Sequence, residues 1–328
     1  MLYKFLGDKL SDNVIVIIGP ILAFIVTFVL LAKPFEFLPR DGGKFVTTKD
    51  GKKVAVNEAS NGKVTGVGLV FISVYLLFTL VLLPVSTEMI LYIVLSIAMM
   101  LTGFLDDASK SPWGELVKGI LDLVLAIITV VVFLKFNSSD VAFFGIKFHM
   151  PVVIYFILAL MLIWASINVT NCSDGVDGLC GTVSVIEIFA INAIFGSKLG
   201  VYSGMSMILA FVLVAYLAYN WFPSTALMGD AGSRTIGFTL ALMCMKTGHP
   251  FAFLLLSLVF ILDGGLGLLK LAVMRVFKIK FLANILCPLH DELRKKHKWR
   301  VPNIVILFAF CQIILSLIVG VIIRFTGI

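Results

Sequence analysis

Run after run of about 20 apolar residues, broken only by short polar stretches, constrains this chain more than anything else in it. Residues 123–134, LVLAIITVVVFL, are typical. A helix needs about 20 predominantly apolar residues to cross a bilayer, and inside hydrocarbon a helix satisfies its own backbone hydrogen bonds. Candidate spans cover residues 14–32, 64–84, 88–105, 115–134, 151–168, 178–196, 200–219, 233–247, 250–275 and 302–324. The 328 residues are 60% hydrophobic and only 14% charged, against about a quarter charged in soluble domains. The expected fold is an all-α polytopic membrane protein of about ten transmembrane helices, forming a single domain over residues 1–328. Residues 1–13 carry both charge signs and no small-residue cleavage pattern, so no removable signal peptide is expected.

Ten spans put both termini on one side. With the termini outside, the inward segments hold 18 Lys and Arg and the outward ones 7, with Lys270 inside a span. The positive-inside rule selects that orientation. The net charge of +7 is then a topogenic signal and an attraction to anionic lipid. No nucleic-acid-binding pattern accompanies it. None of the five cysteines forms a CxxC or CxxH pair, so they read as small buried hydrophobes.

The acids break the inward rule. Asp106, Asp107, Asp174, Asp177 and Asp230 fall in short inward loops nearly free of cations. In LTGFLDDASK an apolar helix ends on Asp106 and Asp107, with Lys110 three residues on. This is either a solvated helix end or a carboxylate pair handling a proton or a metal, with Lys110 facing a phosphate. In INVTNCSDGVDGLCG, Asn168, Asn171, Asp174 and Asp177 recur every three residues, which lines one helical face with amide and carboxylate oxygens. In NWFPSTALMGDAGSRTIG, Asn220 leads and Asp230 opens the next span, where Gly232 and Ser233 could offer N–H groups to an anion; a plain helix cap is the alternative. Oxygen ligands without a His/Cys pattern suit Mg²⁺ or a similar hard ion. Together the segments suit a phosphate-bearing substrate at a membrane face. Asp122, Glu187 and Asp263 lie within or near spans and must be buried between helices. They read as an ion path or, preferably, as structural hydrogen-bonding groups.

GFLDDASK, NVTNCSDGVDGL and MGDAGS resemble, in order and in spacing to the spans, the motifs of polyprenyl-phosphate N-acetylhexosamine-1-phosphate transferases. Within that family the chain is most similar to the phospho-N-acetylmuramoyl-pentapeptide transferase branch. NGKVTGVGLVF resembles its first inward-loop motif, retaining Gly62, Thr65 and Gly68, and FKIKFLANILCPLHDELRKKHKW resembles its last inward loop. The resemblance implies Mg²⁺-dependent transfer of phospho-MurNAc-pentapeptide from its UDP-linked donor to undecaprenyl phosphate, giving lipid I and UMP for peptidoglycan synthesis. It implies a site facing the cytoplasm of a bacterial inner membrane, and a homodimer. Asp230 would be the metal ligand. Asp106 and Asp107 would lie near the lipid phosphate, one of them removing its proton, and His290 would complete the catalytic set. Lys110 and Lys118 would contact phosphates. Thr65, Asn168, Asn171, Asp174, Asp177, Asn220, Gly229, Ser233 and Asp291 would line the substrate side.

Two departures from the branch stand out. Leu227 occupies a position where an aromatic residue is frequent, and after His290 the chain has Asp291 and Glu292 where relatives carry two more histidines. They keep open the transfer of another sugar phosphate, such as GlcNAc-1-phosphate. A secondary transporter, suggested by the acids within spans, would be expected to show internal repeats, and none is apparent.

Overall fold

The computed structural model describes residues 12–33, 36–41, 45–47, 53–55, 62–109, 113–143, 146–279 and 282–326, with backbone alone for 12–16, 45–47 and 53–55. Its helices are α1 (Asp12–Leu31), α2 (Gly68–Leu82), α3 (Thr87–Asp107), α4 (Glu115–Phe136), α5 (Val152–Cys172), α6 (Leu179–Leu199), α7 (Val201–Asn220) and α8 (Gly229–Lys246). A broken stretch follows as α9 (Ala252–Leu256), α10 (Leu258–Phe260), a π-helical turn (Ile261–Gly265) and α11 (Leu266–Phe277). The short α12 (Leu289–Asp291) and the long α13 (Val301–Thr326) close the chain. The protein is a helical polytopic membrane protein.

Helices overlap every expected span, but they are not alike. Among the described residues, six are long and apolar enough to cross a bilayer: α3, α4, α5, α6, α7 and α13. Residues 17–31 of α1 and all of α2 form shorter apolar helices. α2 starts four residues later than expected because Val64 and Val67 pair with Leu227 instead, through Leu227 N–H to the Val64 carbonyl and Val67 N–H to the Leu227 carbonyl, and Gly68 N–H continues to the Met228 carbonyl. The expected span over 250–275 is interrupted at Ser257, where Gln312 of α13 donates to the freed Leu256 carbonyl at 2.6 Å and the Ser257 hydroxyl donates to Glu187. Broken helix at membrane depth requires such partners. Two short antiparallel hairpins also correct the all-helical expectation: β1 (Phe45–Thr47) with β2 (Lys53–Ala55), and β3 (Asp140–Phe143) with β4 (Ile146–His149).

Lipid-facing helices show the inverse of a soluble pattern. On α4, Asp122, Ala126, Thr129, Val130 and Phe133 are buried at helical spacing, while Leu116, Ile120, Leu123, Val124, Ile127 and Val131 are exposed. The apolar stripe meets lipid and the interior side takes the polar groups. At the centre stands α8, buried without a break from Ala231 to Met245 and packed against α2, α3, α5, α6 and α7. Small residues permit that crowding. A side chain on Gly103 of α3 would strike the Asp230–Ala231 backbone, and one on Gly237 would strike Ser166 of α5. Such contacts replace the hydrophobic drive that lipid abolishes. The C-terminal ends of α3, α5 and α7 and the N-terminal ends of α4, α6 and α8 meet at one face of the bundle, and they carry the acidic motifs.

Candidate active site

Three carboxylates form the centre. Asp106 and Asp107 end α3, and Asp230 lies in the first turn of α8. One oxygen from each lies within 4.8 Å of the others. Lys118, in the first turn of α4, stands between them, ion-paired to Asp106 and 3.1 Å from Asp230 Oδ2. Asp106 also accepts the Trp113 N–H at 2.6 Å, which holds the residues just before α4 against the cluster. Gly229 has φ +66°, a left-handed backbone that favours glycine, and a Cβ there would collide with Asp107 Oδ2. α8 can therefore begin against the carboxyl of Asp107.

The charge count suits a bound cation. Three carboxylates face one ammonium, and Asp107 Oδ2 is buried without a hydrogen-bond partner. A buried carboxylate oxygen left bare costs free energy unless something cationic meets it. The donor set is all oxygen, the preference of a hard divalent ion. Asp106, Asp107 and Asp230 thus fit Mg²⁺. Nearby, burial holds the Asp174 carboxyl well above the usual carboxylate range, with the charges of Asp230, Asp107 and Asp177 adding to it.

The remaining expected residues sort into three groups. Asn171 joins the centre: its Oδ1 accepts from the Ser233 hydroxyl at 2.9 Å, linking α5 to α8 beside the carboxylates. Asp177, Asn220 and Thr65 shape the loops. The Asp177 carboxylate takes the Lys63 ammonium at 3.1 Å and the Ser224 N–H at 3.0 Å. The buried Asn220 accepts from the Gly178 N–H and donates to the Ala226 carbonyl, both at 2.9 Å, so its amide clamps two loops. Thr65 lies in the segment stitched to residues 227 and 228 and donates its N–H to the Pro39 carbonyl at 2.9 Å. Asn168 and Asp291 are engaged elsewhere. Asn168 donates to the Trp164 carbonyl of its own helix, and Asp291 is held by Arg294 and Lys295, each at 2.7 Å. Burial alone would raise the Asp291 carboxyl, but the Lys295 hydrogen bond and the nearby cationic charge hold it below its usual range. Lys110 lies outside the described residues.

His290 is buried, and its ring lies so close to Gly175 that no side chain would fit there. The last loop therefore reaches the DGVDG segment. The loop also ties itself down, with Glu292 accepting from the Leu286 N–H at 2.7 Å and Lys296 donating to the Asn284 carbonyl at 2.8 Å.

Two groups of the site were missed from sequence. Arg234, counted there as a topogenic cation, is fully buried on α8 and ion-paired to Asp122 of α4. Each lies four residues beyond a member of the Lys118–Asp230 pair, so α4 and α8 carry two rungs of opposite polarity; that i,i+4 relation could have been seen in the sequence only after pairing the helices. Asp263, read as structural, reaches His290.

The comparisons with known proteins agree with this geometry. Residues 89–248, which hold all three carboxylates and the Asn171–Asp177 segment, match the glycosyl transferase family 4 model. The chain is 34% identical over 341 aligned residues to the phospho-N-acetylmuramoyl-pentapeptide-transferase of Treponema pallidum, covering 96% of this chain and 92% of that protein. It is 29% identical to the Thermotoga neapolitana protein of the same name, over 76% and 82% of the two chains, and 23% identical to that of Clostridium acetobutylicum, over 82% and 87%. The site therefore stands in a full-length relationship and not in a shared fragment, and the chain belongs to the phospho-N-acetylmuramoyl-pentapeptide-transferase family.

Proposed function

We propose that this protein transfers phospho-MurNAc-pentapeptide from its UDP-linked donor to undecaprenyl phosphate, releasing UMP and forming lipid I. The observation that carries the reading is the Asp106–Asp107–Asp230 cluster with Lys118 at its centre, at one face of a membrane bundle. Both reactants are anions, so their approach must be screened before an acceptor phosphate oxygen can attack the donor's pyrophosphate. Asp106, Asp107 and Asp230 would hold Mg²⁺, which when bound neutralises phosphate charge and helps align attacker and leaving group. Lys118 supplies the fixed cation of the site and holds Asp106 and Asp230 in register. Asp107, with one oxygen free of protein partners, is the carboxylate suited to accept the acceptor's proton. Asn171 and Ser233 brace the N-terminus of α8. The loop containing Gly175, closed by His290, would receive the nucleotide-sugar.

The same reading gives about ten crossings, with both termini outside and the site facing the cytoplasm of a bacterial inner membrane. It also gives a homodimer. The test is UMP release by the purified protein with Mg²⁺, undecaprenyl phosphate and either UDP-MurNAc-pentapeptide or UDP-GlcNAc. Release with the pentapeptide donor is expected. Release only with UDP-GlcNAc would overturn the donor assignment, and release with neither would overturn the reaction.

A further inference from the structure

Asp263 occupies an unusual place. It sits in the π-helical turn Ile261–Gly265, fully buried, in a stretch where a continuous apolar span would have needed no acid. A π turn inserts a residue into the helical ladder and re-aims the side chains around it. Here both carboxylate oxygens are used on one residue. Oδ1 accepts the main-chain N–H of His290 at 2.8 Å, and Oδ2 lies 2.8 Å from His290 Nδ1. The turn is itself locked in place, because a Cβ on Gly264 would strike the Val169 carbonyl of α5.

The consequence lies on the opposite side of the ring. A carboxylate only accepts, so the ring nitrogen facing Asp263 must carry the proton. Nε2 points the other way, against Gly175, the residue that follows Asp174. Its nearest carboxylate, Asp291, is 4.0 Å away, beyond hydrogen-bond reach, and is engaged by Arg294 and Lys295. We propose that Asp263 is a positioning residue for the transfer reaction: by accepting both N–H groups of His290 it keeps the proton on Nδ1 and presents Nε2 to the nucleotide-sugar donor. The identity of what meets Nε2 rests on the transferase reading above; the hold on the ring does not.

The test separates the two. The full-length protein in detergent, ¹⁵N-labelled at histidine, reports the protonated nitrogen of His290, whose signals are assigned by their loss in His290→Gln. Protonated Nδ1 is expected in the native protein and in Asp263→Glu, and a mixture of tautomers in Asp263→Asn, whose amide cannot accept both N–H groups in one orientation. At equal folded fraction, Asp263→Asn should lower kcat at least about tenfold, the scale on which losing the partner that orients an imidazole is felt, while donor KM moves far less. Asp263→Glu should recover most of kcat. Protonated Nε2 in the native protein would overturn the proposal, as would an Asp263→Asn variant with native kcat and only a lower thermal midpoint. Protonated Nδ1 in a protein that releases no UMP from either UDP-linked donor would leave Asp263's hold on the ring intact and count against the transferase reading.

Discussion

Asp230 and Lys118 carry opposite expectations although they touch. Asp230→Asn keeps the volume but removes a charge from the cation site. Its kcat should fall by more than about 100-fold, past the 10–100-fold typical of outer-shell losses; near-native turnover at any Mg²⁺ concentration would refute the ligand role. Lys118→Met leaves three carboxylates facing one another without their shared cation. The lost ammonium had repelled a second cation and occupied two of the oxygens, so by charge alone this variant should need less Mg²⁺ for half-maximal activity, by about tenfold or more. An unchanged Mg²⁺ titration would show that Lys118 acts on substrate alone. The three carboxylates were legible in the sequence because acids are out of place in loops that the positive-inside rule reserves for Lys and Arg. The jobs of Asp177 and Asn220 were not. Each hydrogen-bonds to residues more than forty positions away, and the spacing of four polar residues says nothing about which of them will turn toward the protein and not toward a ligand.

Elements were readable where one helix makes its own case and obscure where two must be paired. α4 declares itself by its apolar run, but only its packing turns Asp122 from an oddity into the partner of Arg234. Because both are buried, removing one partner strands the other. Asp122→Asn should lower stability on the scale of about 3–5 kcal/mol that such strandings cost, seen as a lower thermal midpoint in detergent. The double variant Asp122→Leu with Arg234→Leu should recover much of that loss, since a well-packed apolar pair can replace a buried ion pair. A double variant less stable than either single one would mean that the pair stabilises the crossing of α4 and α8 beyond mutual neutralisation. The break between α9 and α11 was hidden for a similar reason. Around Ser257 the run from Phe251 to Leu262 is otherwise wholly apolar, and the groups that stabilise the break, Glu187 and Gln312, belong to α6 and α13.

At the scale of the molecule, the charge asymmetry and the site location must agree, because in the proposed reaction the nucleotide donor is cytoplasmic and can reach only one face. The carboxylate cluster lies at the end of the bundle where α3 finishes and α4 starts. The β3–β4 hairpin follows the other end of α4 and hydrogen-bonds to the loop after α8, through Ala142 N–H to the Gly248 carbonyl at 2.8 Å. The two features therefore sit at opposite ends of α4 and report opposite sides of the membrane. No disulfide joins the five cysteines, so the test uses a background in which all five are replaced. Single cysteines at Lys147, on the hairpin, and at Lys296, in the last loop, are both well exposed or partly so. With a membrane-impermeant maleimide on intact bacterial cells stripped of any outer membrane barrier, Lys147→Cys should label at once and Lys296→Cys only after lysis. The reverse pattern would turn the protein over, place the carboxylates where no nucleotide donor is made, and remove the basis of the proposed reaction however well the residues fit it.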